Sequence, residues 1–312
     1  MSTLVRHAPS TVAEVASIVR DAASAGRALR IRGAGTWMDA GGAVPAEAEL
    51  SLGAFTGITS YRPEDLTLSV GAGTTLAELD AVTRAHGQWC PLLPWGDDAG
   101  TVGATIATAT TGPFAARLGR PANLALGLEC VDGTGRVIAS GGRVVKNVAG
   151  FDLTRAVTGA WGTLAVITQV HLRLRARPVV DETWALTAPD ATALLDAVDA
   201  RVLAFANGPF APLACTRIAA VDVLAADAPE AADARWLVRI GGNATLVAAA
   251  RAALRTLGEA REVDVRAWDS VRARLAPPAR ALNWRWDALS LRLRERFDPA
   301  RVLNRGLLGE PA

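Results

Sequence analysis

The chain has 312 residues, half of them hydrophobic, and its acidic and basic side chains nearly balance at a net charge of +2. This length exceeds the usual size of one hydrophobic core, which predicts two domains. The charges are spread along the chain, without the basic block or the basic and aromatic alternation typical of nucleic-acid binding. We therefore expect no nucleic-acid partner.

The three cysteines are widely separated and odd in number. Cys90, Cys130 and Cys215 thus argue against a disulfide framework, a CxxC redox pair or an iron-sulfur site, and we expect buried or idle thiols. Residues 1–10 lack the charged and apolar regions of a signal peptide, and no apolar run approaches membrane-spanning length. We expect a cytoplasmic protein without a membrane span, with peripheral association at the inner membrane only through partners.

Two capping boxes of the form Thr-x-x-Glu predict the first helices. They occupy residues 11–14 and 75–78, and each opens an apolar-periodic segment, the first ending near Gly26 and the second near Gly87. Strands are predicted before, between and after these helices, at residues 3–6, 29–32, 66–70 and 164–174. The last strand alternates apolar and polar positions, so we expect His171 on its polar face to be solvated.

A junction is predicted at residues 176–181, because Pro178 interrupts the strand and the following pattern restarts differently. The order beyond it is strand, helix, strand, strand, helix, strand, which is typical of a split βαβ, ferredoxin-like unit. These elements are predicted at residues 183–187, 190–203, 213–223, 235–240, 243–257 and 262–266. A final helix is predicted at residues 286–296.

Two Gly-Ala-Gly turns follow strands, at residues 33–35 and 71–73. Neither completes the dinucleotide pattern GxGxxG, because Met38 and Leu76 occupy the third glycine positions, so the sequence argues only weakly for a nicotinamide-binding Rossmann site. The first turn has no obvious helix after it, and its consecutive N–H groups suit a pyrophosphate. The second turn feeds a helix, and we favour a tight structural connection there over a phosphate site.

Residues 94–113 are rich in small side chains. Such residues let a large flat ligand lie against backbone N–H groups and threonine hydroxyls, although close packing of a helix on a sheet is the alternative. Asp97 and Asp98 are adjacent and point in different directions, which favours turn or cap residues over a catalytic carboxylate pair.

Lys146 is the only lysine of the chain. In an arginine-rich background, a compact ammonium at one position suggests a specific role. Because no neighbouring residue supports a Schiff base or a proton shuttle, we interpret Lys146 as a positioning cation.

Six segments together resemble the FAD-binding proteins of the vanillyl-alcohol-oxidase (PCMH-type) superfamily, most nearly the FAD-binding E subunits of bacterial glycolate oxidases. They lie at residues 33–36, 101–103, 111–113, 146–152, 159–164 and 297–304. The resemblance implies an α+β fold in which two α+β subdomains hold an extended FAD and a smaller ferredoxin-like cap domain covers the flavin. We expect the PCMH-type FAD-binding domain at 1–178, the cap at 179–284 and a C-terminal segment returning to the flavin site at 285–312.

The same resemblance implies the cofactor-binding residues. The pyrophosphate would be held by Arg32, Gly33, Ala34, Gly35, Thr36 and Trp37. The flavin would be lined by Thr101, Val102, Gly103, Ala104, Thr105, Thr111 and Gly112. Backbone contacts would come from Gly162 and Ile167, bracing from Lys146 and Asn147, and closure of the site from Asn304.

The chain departs from the family pattern at several positions. Ala104 replaces a usual glycine and Phe151 a common tyrosine, while Arg305 stands where proline normally follows the asparagine and leaves the tail less rigid. Thr36 occupies a position where some relatives attach the flavin through histidine, and Cys90 lies too far upstream to form the family's cysteinyl linkage. We therefore expect non-covalent FAD.

Few side chains are suited to proton abstraction in this chain. The candidates are His7, His86, His171 and Tyr61. Each has a simpler structural interpretation, the metal-binding histidine clusters of the related catalytic subunit are missing, and no catalytic residue or metal site is assigned. Arg155, Arg280 or Arg285 could bind a carboxylate, although surface or ion-pair roles are the favoured interpretation.

The resemblance implies an FAD-dependent oxidoreductase that acts as a subunit of a glycolate, or 2-hydroxy acid, oxidase or dehydrogenase complex. Its expected partners are a catalytic flavoprotein subunit, an iron-sulfur subunit and a small 2-hydroxy acid. Two alternatives stay open: a stand-alone FAD-dependent oxidase of a small hydroxy acid or alcohol, and a structural subunit without flavin.

Overall fold

The computed structural model describes residues 4–96, 99–142, 152–187, 192–218, 234–274, 284 and 286–309. The strands are β1 (Val5–His7), β2 (Leu29–Arg32), β3 (Ala48–Ser51), β4 (Ile58–Arg62), β5 (Thr67–Gly71), β6 (Gln88–Trp89), β7 (Ala125–Asp132), β8 (Val137–Gly141), β9 (Ala165–Arg173), β10 (Arg175–Ala176), β11 (Val180–Thr187), β12 (Ala214–Arg217), β13 (Ala234–Gly242) and β14 (Ala260–Val263). The helices are α1 (Val12–Ala25), α2 (Leu76–Arg84), α3 (Val102–Thr108), α4 (Ala115–Leu118), α5 (Pro121–Leu124), α6 (Leu153–Val157), α7 (Thr192–Ala206), α8 (Ala244–Arg255), α9 (Ala267–Arg274) and α10 (Ala288–Phe297).

A small parallel sheet opens the fold, with strand order β1-β3-β2. Helix α1 packs on it, and its capping box forms as predicted: the Thr11 hydroxyl accepts from the Glu14 N–H, and the Glu14 carboxylate accepts from the Thr11 N–H. Gly26, at φ +62°, ends the helix in the left-handed conformation. Val15 and Val19 are fully buried on the helix face that covers the sheet.

The central sheet is antiparallel, with strand order β4-β5-β9-β7-β8. One face packs under helices α2 and α3, and Val170 and Leu172 of β9 are fully buried there. On the other face, His171 is only partly buried and hydrogen-bonds through Nδ1 with Ser69 Oγ, 2.7 Å away. The predicted alternation is therefore seen at residues 168–173, where it places His171 on the less buried face, whereas residues 165–168 are all buried.

The cap is a second antiparallel sheet, with strand order β12-β13-β11-β14. Taken in chain order, its strands and the helices α7 and α8 form the βαββαβ arrangement of a ferredoxin-like unit, so the predicted topology is confirmed. Trp184 and Trp236 fill the core between this sheet and its helices. The domain boundaries at residues 178 and 284 stay a prediction.

Contacts between an aromatic ring and two arginines join the cap to the amino-terminal region. Trp89 of β6 has the guanidinium carbon of Arg177 5.7 Å from its ring centroid and that of Arg239 5.9 Å away. Arg239 belongs to β13 and donates two hydrogen bonds to Asp181 of β11, at 2.6 and 2.7 Å. Trp89 therefore contacts Arg239, which the cap holds in place, and Arg177, which donates to Gln88 O and forms an ion pair with Asp80 in the amino-terminal region.

The carboxyl-terminal segment returns to the first sheet. After α10, Leu303 forms a parallel β-bridge with Leu29 of β2. A buried ion pair between Arg294 and Asp298 stabilises the end of α10 just before this bridge. Arg294 also donates hydrogen bonds to the carbonyl oxygens of Thr163 and Leu303. Arg294 and Asp298 are almost completely excluded from solvent. Through the hydrogen bond to Thr163 O, Arg294 joins the carboxyl-terminal segment to the amino-terminal region.

Several short elements did not give a recognisable sequence pattern. Strands β3, β4, β7 and β8 and helices α4, α5, α6 and α9 were not predicted, because each is short or interrupted by glycine or charged residues. The strand predicted at residues 213–223 corresponds to the four-residue β12, and residues 219–223 lie outside the described residues. None of the helices that the structure describes is both long and apolar enough to cross a membrane.

Candidate functional site

A cleft of about 680 Å³, part of it open to solvent, lies where β2, α3, the start of β9 and the carboxyl-terminal segment meet. Small or apolar side chains and exposed backbone form most of its wall. Its lining residues are Arg30, Ile31, Arg32, Gly33, Gly35, Thr36, Trp37, Met38, Leu52, Ala72, Thr101, Gly103, Ala104, Ala107, Thr108, Trp161, Gly162, Ala165, Ile167, Asn304 and Leu307.

The turn at residues 32–37, called here the anion loop, forms one wall of the cleft. In the described part of the chain, no acceptor binds the backbone N–H groups of residues 33–37, whereas the next N–H, that of Met38, donates to Gly35 O at 3.3 Å. Gly35 has φ +92°, a conformation that side-chain-bearing residues rarely adopt. Consecutive N–H groups without acceptors in such a turn can bind an anion.

Two arginines of β2 lie beneath the anion loop. Arg32 forms an ion pair with Glu49 at 3.3 Å, and a side chain added at Gly35 would come within 3.1 Å of its guanidinium. Arg30 is 8% exposed and donates to Met38 O at 2.9 Å. Burial lowers the pKa of Arg30, and the carboxylate of Asp39 opposes that shift. Both guanidinium groups favour an anion in the loop.

Helix α3 forms the opposite wall and uses only one of its faces. Thr101, Gly103 and Ala104 line the cleft, whereas Val102 and Thr105 are buried on the side facing away from it. A Cβ atom at Gly103 would lie 2.7 Å from Ala72 Cβ and 2.8 Å from Ala72 O. Because successive residues of a helix point in different directions, only some of the residues predicted at 101–105 face the cleft, and the others face the core.

A turn at residues 159–163 completes the cleft. Trp161 has φ +56°, donates its N–H to Ala107 O at 2.7 Å and packs its ring edge-on against Trp37, with centroids 5.5 Å apart. Gly162 has φ +67°, and a Cβ atom there would lie 2.8 Å from Asn304 Nδ2. The turn therefore exposes backbone to the cleft and requires glycine at position 162.

Asn304 connects three parts of the cleft wall. Its Oδ1 accepts from the Ile31 N–H at 2.9 Å, its Nδ2 donates to Trp161 O at 2.9 Å, and its own N–H donates to Leu29 O at 2.9 Å. The residue is 5% exposed and has φ +46°. Asn304 thus holds β2, the 159–163 turn and the carboxyl-terminal segment together.

Other predicted residues lie elsewhere. Ala34 is exposed beside the cleft, and Thr111 and Gly112 pack against residues 93–95, where Thr111 O accepts from the Trp95 N–H at 3.0 Å. Lys146 and Asn147 lie outside the described residues, so their predicted roles stay predictions. Eleven of the predicted residues line the cleft: Arg32, Gly33, Gly35, Thr36, Trp37, Thr101, Gly103, Ala104, Gly162, Ile167 and Asn304.

The sequence analysis missed Arg30, Trp161 and the buried Arg294–Asp298 pair. Arg30 had a usable signal, because it lies two positions before Arg32 on a predicted strand and therefore shares its face. Trp161 lies inside a recognised motif. The Arg294–Asp298 pair gave no signal, since charged residues four apart on a helix normally lie at the surface.

The candidate bases lie away from the cleft. Among the described residues that line it, there is no histidine, tyrosine or carboxylate. His86 packs edge-on against Tyr61, whose hydroxyl donates to Gln88 Oε1 at 2.9 Å. Arg155, one of the carboxylate-binding candidates, forms an exposed ion pair with Asp152 at 3.6 Å, and Arg280 and Arg285 lie outside the described residues.

Comparison with known families identifies the domain that contributes much of the cleft wall. A family model described as an FAD binding domain matches residues 4–141, which include the anion loop and α3. The chain carries an FAD-binding domain of the PCMH type. The predicted family and the predicted FAD cofactor are thereby confirmed.

Curated relatives match part of this chain over part of their own length. The chain is 38% identical over 167 residues to a protein named D-lactate dehydrogenase from Archaeoglobus fulgidus, covering 53% of this chain and 37% of the relative. It is 35% identical over 124 residues to glycolate oxidase subunit GlcE of Escherichia coli, covering 39% of this chain and 35% of that subunit. The chain thus spans less than two-fifths of the length of these relatives.

Solved structures extend the similarity beyond the FAD-binding domain. A structure named alkyldihydroxyacetonephosphate synthase matches 87% of this chain and 55% of its own with a TM-score of 0.70. The sequence identity is 15%, so this match supports the fold alone. Because 87% of the chain is more than residues 1–178 and 285–312 together, the match includes at least part of the predicted cap.

Proposed function

We propose that this chain is the FAD-holding subunit of a 2-hydroxy acid oxidase or dehydrogenase complex, with glycolate as the first substrate to test. The observation that carries this proposal is the composition of the cleft. Its wall offers free N–H groups above two arginines, and the described lining residues include no group able to remove a substrate proton. The described part of the cleft is thus equipped to hold a cofactor, and its side chains do not supply the base that oxidation of an alcohol requires.

Different residues of the cleft would bind the pyrophosphate, shape the wall and hold its parts together. The N–H groups of residues 33–37 and the arginines of β2 would bind the pyrophosphate. Gly103, Ala104 and Gly162 keep the wall free of bulky side chains, and Asn304 fixes the two turns relative to each other. Bound flavin supplies a hydride acceptor at N5.

We propose that the cofactor is held without a covalent bond. Thr36 has no nucleophilic ring nitrogen, and burial raises the pKa of the Cys90 thiol to about 12, which keeps it protonated at neutral pH. Cys90 also does not line the cleft. Denaturation should therefore release free FAD.

The proposed partners follow from the missing base and from the relatives. A catalytic flavoprotein subunit would bind the 2-hydroxy acid, and an iron-sulfur subunit would accept electrons. The relative named glycolate oxidase subunit GlcE supports a complex of more than one subunit. Within this chain we propose an FAD-binding domain at 1–178, a cap at 179–284 and a C-terminal segment at 285–312.

A second function is favoured by a different cavity. Between the FAD-binding region and the cap, Trp89, Phe114 and Trp268 line a pocket with Arg177 and Arg239. Aromatic and arginine side chains can hold a small carboxylate, so the chain would then be a stand-alone FAD-dependent oxidase or dehydrogenase, an activity that the relative named D-lactate dehydrogenase suggests. The ion pairs of both arginines with Asp80 and Asp181 make this pocket the weaker candidate.

Titration of the purified, flavin-free chain with FAD tests the proposal. We expect a yellow complex whose spectrum does not change when glycolate or D-lactate is added, and which is reduced when the co-expressed partner subunits are present. Reduction of the flavin by the isolated chain would support the stand-alone enzyme. A chain that cannot take up FAD would contradict both flavin proposals and leave the structural subunit.

A matched pair of glycine variants locates the FAD site. Gly35→Ala places a side chain at φ +92° and beside Arg32, so we expect FAD binding to weaken about tenfold or more, from a strain of about 1–2 kcal/mol. Gly142→Ala is the control, because no described residue lies within 4 Å of the added Cβ. Equal FAD affinities in the two variants would contradict binding at the anion loop.

A further inference from the structure

Arg30 combines deep burial with an incomplete set of hydrogen bonds. Its side chain lies at the edge shared by the cleft and a neighbouring pocket. Nη2 donates to Met38 O at 2.9 Å and to Trp37 O at 3.5 Å, whereas Nη1 is buried and has no hydrogen-bond partner among the described residues. A buried charged donor without an acceptor is costly, so proteins usually provide an acceptor or bind one.

The nearest carboxylates do not meet this need. Glu49 lies opposite Arg30 in the parallel register of β2 and β3, but its described ion pairs go to Arg32 at 3.3 Å and to Arg6 at 3.6 Å. Asp39 is exposed and acts on Arg30 only through its charge. Glu49 is therefore shared by two other arginines, and Arg30 has no ion-pair partner among the described residues, which leaves an excess of positive charge beneath the anion loop.

The hydrogen bonds that Arg30 does make orient the anion loop. Because the carbonyl groups of Trp37 and Met38 are bound by Nη2, they cannot turn toward the cleft, where they would repel an anion. The same arginine thus fixes the end of the loop and lines the cleft, and its buried Nη1 donor has no acceptor among the described residues.

We propose that Arg30 is a further cofactor-positioning residue, which selects flavins that carry a diphosphate by offering Nη1 to a phosphate oxygen while Nη2 holds the anion loop open. This inference rests on the proposed FAD site. It predicts that the charge at position 30 contributes to the affinity for FAD and for inorganic pyrophosphate but not to the affinity for riboflavin, which has no phosphate.

The test compares Arg30→Lys with Arg30→Gln, two variants of similar size that both lose the guanidinium fork but differ in charge. Dissociation constants for FAD and riboflavin are measured by flavin fluorescence with the full-length, flavin-free chain, and pyrophosphate is used as a competitor of FAD. We expect Arg30→Lys to bind FAD about tenfold more tightly than Arg30→Gln, in line with the strength of charge-assisted hydrogen bonds. Riboflavin affinity should agree within about twofold.

Several results would overturn the inference. Equal FAD affinities in the two variants would show that the charge has no role, and a parallel loss of riboflavin affinity would show that Arg30 only maintains the local structure. Arg27→Gln, which removes an exposed arginine just before β2, is the control for net charge. If a variant at position 30 does not fold, Arg30→Met is compared with the wild type in the same assays. Failure of the wild type to bind FAD would instead contradict the proposed function.

Discussion

The cleft proposed to hold FAD and the cap are built by different means. The cleft wall depends on close backbone approaches, because Gly103 of α3 and Gly162 of the 159–163 turn leave no room for a side chain. The cap is filled by large rings, and Glu182 accepts a hydrogen bond from Trp184 Nε1 and forms an ion pair with Arg251. The cleft therefore depends on where backbone groups are held, and the cap depends on packing. Substitutions that displace the cleft wall should lower both the stability of the protein and its affinity for FAD. Substitutions inside the cap should lower the stability alone.

The largest effect is expected from Arg294→Met. Methionine fills much of the same space but leaves Asp298 charged and completely buried, and breaking such a pair costs about 3–5 kcal/mol. The hydrogen bonds to Thr163 O and Leu303 O are lost as well, which loosens the two segments that Asn304 joins. Urea unfolding of the apo-protein should show the loss of stability, and FAD titration should show weaker binding.

The matched control is Arg251→Met in the cap. Its side chain is 38% exposed, so solvent screens its ion pair with Glu182 and the loss of stability should be clearly smaller. FAD affinity should not change, because Arg251 does not line the cleft. Weaker FAD binding in this variant would remove the distinction between the two regions.

The same distinction explains what the sequence could predict. The capping boxes and the alternation of β9 are local patterns, and they gave α1, α2 and β9 almost at their observed limits. The glycine-rich segments of the cleft were recognisable because a turn with a left-handed residue or a close backbone approach restricts the choice of residue. In the cap, only the order of elements was predictable, since its aromatic packing leaves many sequences possible.

Long-range contacts were beyond the sequence. The ion pair of Arg32 with Glu49 depends on the register of two parallel strands separated by 15 residues of chain, from position 33 to position 47. Val102 and Thr105 face away from the cleft because of the orientation of α3 on the sheet. The sequence motif at residues 101–105 does not determine that orientation. The structure therefore adds the information on which distant elements pack against each other and in what register.

A smaller effect is expected from Asn304→Ala. The change removes two side-chain hydrogen bonds, to the Ile31 N–H and to Trp161 O, and places alanine at φ +46°. Together these losses should cost about 2–3 kcal/mol, and FAD binding should weaken because two walls of the cleft are released. The control is Asn207→Ala in the cap, where an exposed side chain donates only to Leu203 O. Unchanged FAD binding in Asn304→Ala would contradict the positioning role of Asn304.

The smallest effect at neutral pH concerns the thiols, which report on the two regions separately. Burial raises the pKa of Cys90, Cys130 and Cys215 to about 12, so a thiol reagent at pH 8 should react slowly with the folded protein. A raised folded-state pKa stabilises the fold below the unfolded value of about 9, and this contribution is lost as the pH rises toward 12.

Cys215 lies in the cap and is only partly shielded from solvent, whereas the other two are buried in the FAD-binding region. If the cap opens independently, Cys215 should react first and its labelling should not change with bound FAD, while FAD slows the reaction of Cys90 and Cys130. Simultaneous labelling of all three thiols, followed by mass spectrometry of the peptides, would show instead that the two regions unfold as one unit.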